Sequence, residues 1–249
     1  MDFEPPPSSL PGSPEQDPQG PDFILEGTEP AWERKEELGF VQAYTETLKQ
    51  VLLNPAETFE RLFIGGGFVN PLIFLVISAV AVAIVSFFVN LVFGGLIDAM
   101  TAGMASSTGG AASSLPIQTI IRGGSGIAGI VIIPISAVVV AFIMAGVYHL
   151  ILMMVGGATQ SYEATFRVVT YASGATMLLQ IIPICGPMAG VIWSLVCVII
   201  GLSRVHQTDT WKAVVAVLAP SVICCLAIGG VFVVAIMAGA AAAAGHASP

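Results

Sequence analysis

Long stretches without a single charge, separated by short segments that gather the ionisable residues, constrain this chain more than any other feature. Nothing ionises between Arg61 and Asp98, between Arg167 and Arg204, or, His149 apart, between Arg122 and Glu163; after Lys212 only His246 does. A bilayer core of roughly 30 Å needs about 20 apolar residues to be crossed as a helix, so each stretch can hold at least one span. With a mean hydropathy of +0.89 and 10% charged residues, the expected class is an all-α integral membrane protein.

The charges that remain are unevenly placed. Residues 1–70 hold 13 of the 16 acids and 4 of the 8 bases, a local balance of −9. That segment lacks the clustered Lys and Arg that a phosphate backbone requires, so nucleic acid is not an expected partner. Residues 1–31 are rich in Pro, Gly, Ser and acids. They cannot bury enough apolar area to offset the entropy of ordering and read as a disordered cytosolic tail. They also show neither the basic start nor the apolar run of a secretory leader.

Residues 32–66 carry a different pattern. Phe40, Val41, Tyr44, Leu48, Val51 and Leu52 recur at helical offsets, one face of an amphipathic helix. Asn54, Pro55 and Glu57 supply the cap, first-turn proline and early acid of a second short helix, running to about Phe63. Lying in the interface plane, these helices would set Phe40, Tyr44 and Leu48 against lipid; packing on the cytosolic side of the same protein is the alternative.

The membrane domain, 67–239, divides into five predicted spans at about 71–97, 127–155, 168–183, 187–202 and 213–238, before a Gly/Ala-rich tail at 240–249. The third and fourth are short and joined through Pro183 and Pro187, so three spans plus a re-entrant hairpin is the alternative. With five spans and a cytosolic start, Lys49, Arg61, Arg167, Arg204 and Lys212 fall inside and only Arg122 outside, as the positive-inside rule requires. The N-terminus is then cytosolic and the C-terminus periplasmic or luminal. Arg61, Arg167, Arg204, His206 and Lys212 form a candidate face toward lipid headgroups, beside the lipid-contacting Phe40, Tyr44 and Leu48.

Chemistry is sparse. The predicted spans contain no carboxylate, Lys or Arg of the kind that usually marks a proton or ion path. Ser173 stands in a small-residue setting but has no histidine placed beside it, and His149, His206 and His246 occur singly without ligand spacing. No catalytic residue, cofactor or metal is therefore expected, and the chain reads as a non-enzyme.

His149, Gly156, Gly157, Tyr162, Phe166, Arg167, Tyr171, Pro183, Gly186, Trp193, Gly201, His206, Lys212 and Ala213, preceded by Leu52, Asn54, Pro55, Phe59, Gly67, Pro71 and Phe74, form a pattern that resembles the Yip1 domain. The likeness covers about residues 40 to 235. It implies five membrane helices with a cytosolic N-terminus, and a role of the kind its eukaryotic relatives have in Golgi vesicle traffic with Rab GTPases. The acidic Pro-rich tail and the Gly/Ala-rich composition look bacterial, which points to an inner membrane without Rab proteins. The expected function is a scaffold that organises membrane or recruits a partner, with the bilayer, a second copy or another membrane protein as the partners in view. The alternative is a small transporter or permease component hinged at Pro134, Pro183 to Pro187 and Pro220 around a midplane site.

Overall fold

The computed structural model describes residues 30–62, 64–107, 127–182 and 185–246. The predicted disordered tail, apart from Pro30 and Ala31, lies outside them, as do residues 247–249. A tight helical turn at Ala31–Arg34 leads into α1 (Lys35–Leu38), α2 (Phe40–Leu53) and α3 (Pro55–Glu60). The long helices follow: α4 (Val69–Ser107), α5 (Ile127–Met154), α6 (Tyr162–Met177, closed by a turn at Leu178–Ile181), α7 (Cys185–Val205) and α8 (Thr210–His246). No strand occurs among the described residues.

Among the described residues, four helices are long and apolar enough to cross a bilayer: Val69–Leu96, Ile127–Met154, Cys185–Val205 and Thr210–Val231. Large apolar residues such as Leu91, Val131, Met154, Ile192 and Leu226 stand exposed along them. An apolar exterior of this extent is far beyond what a water-soluble monomer leaves open and identifies the surface as lipid-facing.

The remaining long helix, α6, differs from the predicted third span and explains the architecture. It starts at Tyr162 rather than near residue 168, so Glu163 and Arg167, predicted to lie between spans, stand within it. Its 16 residues amount to about 24 Å at 1.5 Å per residue. Nearly every side chain from Ala164 to Thr176 is buried, because α4, α5, α7 and α2 all pack around it. A helix enclosed by protein can carry polar groups that lipid would reject, provided each finds a partner.

The amphipathic pair α2 and α3 completes that enclosure. Ala43, Thr47 and Val51 of α2 and Thr58 and Phe59 of α3 are buried against the bundle. The last carbonyls of a helix have no partner within it. Here α7 supplies them: Trp193 Nε1 donates to Leu52 O at 3.1 Å and the Cys197 thiol to Val51 O at 3.6 Å. Close packing of α3, α6 and α7 depends on Gly201, where a Cβ would come within 2.4 Å of Val168 Cγ1 and 2.9 Å of the Phe59 ring. The buried stripe of α2 is offset from the apolar face read from the sequence: of that face Val51 is buried, Tyr44, Leu48 and Leu52 are half-buried against the core, and Phe40 and Val41 stand exposed.

Candidate functional site

The polar side chains buried along the first turns of α6 form two networks. The first centres on Arg167, whose side chain is fully buried. Its guanidinium donates through Nη2 to Glu33 Oε1 at 2.6 Å and through Nη1 to Gly67 O at 2.9 Å. Tyr171, one turn further along α6, donates its hydroxyl to the same Glu33 oxygen. The other carboxylate oxygen accepts from Asn70 Nδ2 at 2.8 Å, while Asn70 Oδ1 accepts from Lys35 Nζ at 2.8 Å. Asn70, which its position before Pro71 marks as a helix cap, therefore spends its side chain on the N-terminal segment instead.

This network ties residues 31–35 to the bundle. Trp32 is fully buried beside Glu33; its Nε1 donates to Asn70 O at 2.9 Å and its backbone N–H to Thr47 Oγ1 at 2.7 Å. The segment before α4 closes from the other side. Gly67 N donates to Glu163 Oε1 at 2.7 Å, and a Cβ at Gly66 would meet Arg167 Nη1 at 2.8 Å. Glu163 stands in the first turn of α6, where a carboxylate also complements the helix dipole. Arg167 Nε alone has no partner in the network.

The second network joins α5, α6 and the turn between α7 and α8. Thr165 Oγ1 lies 2.9 Å from His149 Nδ1 and 2.8 Å from His206 Nε2. The backbone N–H of Gln160 meets His206 Nδ1 at 3.1 Å and can only donate, so Nδ1 is an acceptor and His206 is neutral with its proton on Nε2. Nε2–H then donates to Thr165, whose hydroxyl proton is free to donate to His149 Nδ1. Thr159 also donates its hydroxyl to His206 O, so the two turns are stitched at one residue.

His206 is fully buried. Burial first, and the neighbouring His149 second, push its pKa down to about 4. An unfolded histidine binds its proton near 6.5, so between about 6.5 and 4 the unfolded chain holds more protons than the folded one. The stabilisation is complete above that window and drains away as pH falls through it. Between pH 7 and 4.5 the unfolding midpoint in detergent should fall by about 5 °C more in the wild type than in His206→Asn, whose carbonyl can replace Nδ1 without titrating. Equal falls would remove His206 from the acid response.

The predicted contact residues are dispersed. Phe40 is 54% exposed but edges onto Trp32; Tyr44 is half-buried with its hydroxyl 2.9 Å from Ser78 Oγ; Leu48 packs against the core. Arg61 is exposed and pairs with Glu57 at 2.9 Å, and Arg204 faces Glu60 at 3.4 Å. Lys212 reaches Gly156 O at 3.1 Å. Arg167 and His206 are enclosed by protein, so the basic face reduces to Arg61, Arg204 and Lys212. Glu33, Trp32 and Thr165 escape the sequence reading, and Asn70 and Tyr171 enter it only as a helix cap and as part of the Yip1-like pattern, although Arg167 and Tyr171 sit one helical turn apart on a common face.

An apolar cleft of about 240 Å³ opens between α5 and α7, with α6 as its floor; Ala141, Met144, Ser173, Thr176, Ser194 and Val198 are among its lining residues. Ser173 lies there, whereas the partner of His149 is Thr165, two helical turns away. Among the described residues no group of three or more His, Cys, Asp or Glu could hold a metal ion.

The profile of the Yip1 domain matches residues 49–243, well over half of the chain. The chain belongs to the Yip1 domain family. The match takes in α4 to α8 together with α3 and the end of α2, and it makes this an integral membrane protein on two independent grounds, the family and the apolar exterior. Both networks centre on α6, inside the matched Yip1 region, but Trp32, Glu33 and Lys35 precede it, so the Yip1 core receives its buried carboxylate from outside the domain. Comparison with curated proteins and with solved structures yields no match.

Proposed function

We propose that this Yip1-family chain is a non-enzymatic scaffold of a bacterial inner membrane, which holds its N-terminal helices in a fixed pose for membrane organisation or partner recruitment. The observation that carries this is the Glu33–Arg167–Tyr171 network, in which the charges join one part of the chain to another and none lines the cleft beside α6. The cleft beside α6 is mostly apolar, as expected of a surface meeting acyl chains or another helix rather than a solute path. In this reading α6 with its closing turn is the fifth span. Four residues at about 2.0 Å rise extend its 24 Å to roughly the thickness of the hydrocarbon core. The N-terminus is then cytosolic and the C-terminus on the opposite side. Phe40, Arg61, Arg204 and Lys212 remain the contacts offered to lipid, with Tyr44 and Leu48 reaching it only at their edges.

Cysteine labelling in a background stripped of the native cysteines tests both parts. Glu37→Cys, at an exposed residue of the N-terminal segment, should react with a membrane-impermeant maleimide from the cytosolic side and Ser248→Cys from the other, while Ser173→Cys and Ser194→Cys resist it and react with a lipid-soluble one. Ready labelling of residues 173 and 194 by the impermeant reagent would replace the scaffold with a carrier. Labelling of both ends from one side would remove the fifth span.

A further inference from the structure

Where α7 ends and α8 begins, Glu60, Ser203, Arg204, Gln207, Thr208 and Thr210 line a polar pocket of about 470 Å³. Its place is defined by the spans themselves. The apolar run of α7 stops at Val205 and that of α8 starts at Thr210, so the pocket lies at the level of a headgroup layer. Beside it Trp211, 57% exposed and with the Lys212 ammonium over its ring, has the position of an interfacial aromatic. Val215 and Leu218, also exposed, continue the Trp211 face of α8 toward the bilayer interior.

The lining is neither anionic nor cationic but holds one charge of each sign. Arg204 Nη1 and Glu60 Oε2 stand 3.4 Å apart, with both side chains about half exposed. An exposed pair of this kind contributes little to stability, so parting it for other partners costs little. Hydroxyls lie next to the pair: Ser203 Oγ donates to Thr208 O at 3.1 Å and lies 3.3 Å from Thr210 Oγ1. The N-terminus of α8, the positive end of a long helix, reaches the same wall through Thr210, and the Asp209 carboxylate just before it is paired with Lys212 at 3.9 Å. Gln207 at the rim adopts φ +46°, a left-handed conformation that a non-glycine residue holds only under constraint from its surroundings.

We propose that this pocket binds the zwitterionic headgroup of a phosphoethanolamine lipid, Arg204 and the α8 N-terminus taking the phosphate and Glu60 the ammonium. The headgroup carries the same two charges as the pair it would part, and the acyl chains run down the Trp211, Val215 and Leu218 face. A purely anionic headgroup can offer the Glu60 carboxylate hydroxyl donors at most and no cation, so the pocket disfavours it. The inference deepens the lipid-contact reading above. It requires only that the turn between α7 and α8 lies at a headgroup layer, so its failure would leave the labelling result for the two ends and for residues 173 and 194 untouched.

Native mass spectrometry of the full chain in detergent, titrated with phosphatidylethanolamine and phosphatidylglycerol, tests it. The wild type should retain the ethanolamine lipid about fivefold more than the glycerol lipid, Glu60→Gln should abolish that preference, and Arg204→Gln should weaken both lipids about fivefold, each charge contributing on the scale of a single interfacial base. Both side chains are half exposed, so the unfolding midpoint of each variant should match the wild type, which separates loss of binding from loss of fold. Equal retention of the two lipids by the wild type, or an unchanged preference in Glu60→Gln, would overturn the proposal. So would displacement of the lipid by an equal concentration of soluble glycerophosphoethanolamine, which would reassign the pocket to a free phosphate ester.

Discussion

Replacing Arg167 by Ala should cost the folded protein about 3–5 kcal/mol, the toll of leaving one member of a buried ion pair without its partner. The stranded group would be Glu33, whose carboxylate is 8% exposed and whose remaining donors, Asn70 and Tyr171, are neutral. The consequence should be local before it is global: residues 31–38 detach, carrying Glu33 back to water. Limited proteolysis of the full chain in detergent should therefore cut the Arg34–Lys35 region at temperatures where α4 to α8 remain intact. Arg167→Lys should fail almost as badly, since one ammonium cannot bridge Gly67 O and Glu33 as the planar fork does. Glu33→Leu with Arg167→Met should recover most of the loss, because an apolar pair of similar volume needs no charge compensation and removes the unpartnered Arg167 Nε. If Arg167→Ala melts like the wild type and stays uncut, the network does not hold the segment.

That prediction could not have been written from the sequence, and the reason is instructive. The spans of α4, α5, α7 and α8 were legible because lipid imposes a rule on every residue that faces it: long, apolar and uncharged. The first-turn proline Pro55 is legible too, and α3 starts there, although the Asn54 side chain at the cap position makes no capping hydrogen bond. α6 obeys no such rule. Enclosed by protein, it is free to carry Thr165, Arg167, Thr170 and Tyr171, and its polar first turns look like a connector. Arg167 then serves as evidence for a loop and a topology boundary, when its charge is in fact cancelled by a residue 134 positions earlier. Nothing local in Ala31–Arg34 announces that partner, since a Trp between charged residues is equally at home at a membrane interface. For the same reason His206 looked exposed: its burial comes from the meeting of two turns, at 156–160 and 206–209, whose spacing along the chain carries no periodic signal. The amphipathic helix α2 shows the limit of periodicity as a signal: its buried stripe runs through Ala43, Thr47 and Val51, beside the bulkier apolar residues. Its apolar face is real, but periodicity does not say whether lipid or protein covers it.

Trp32→Ala should be as damaging as Arg167→Ala, about 3–5 kcal/mol, by a different route. The indole is fully buried among Phe40, Tyr44 and Phe74, with ring centroids 5.2, 6.2 and 5.9 Å away, so truncation leaves a cavity bordered by α2 and α4. Trp32→Phe should cost about 1–3 kcal/mol, since a smaller ring stays while the donor to Asn70 O and part of the buried indole volume are lost. Phe40→Ser, at a residue more than half exposed, should cost less than either. The decisive measurement is the double variant. If the Trp32 cavity and the stranded Glu33 each acted on the bundle independently, their costs would add. If instead both act by detaching residues 31–38, the first substitution already releases the segment, and the second has little left to break. The double variant should then lose little more than the worse single one, and the shared ceiling is the free energy with which the N-terminal segment docks. Thermal unfolding and proteolysis of the four chains in one detergent supply the cycle, and strict additivity would show that Trp32 and Arg167 hold separate parts of the protein.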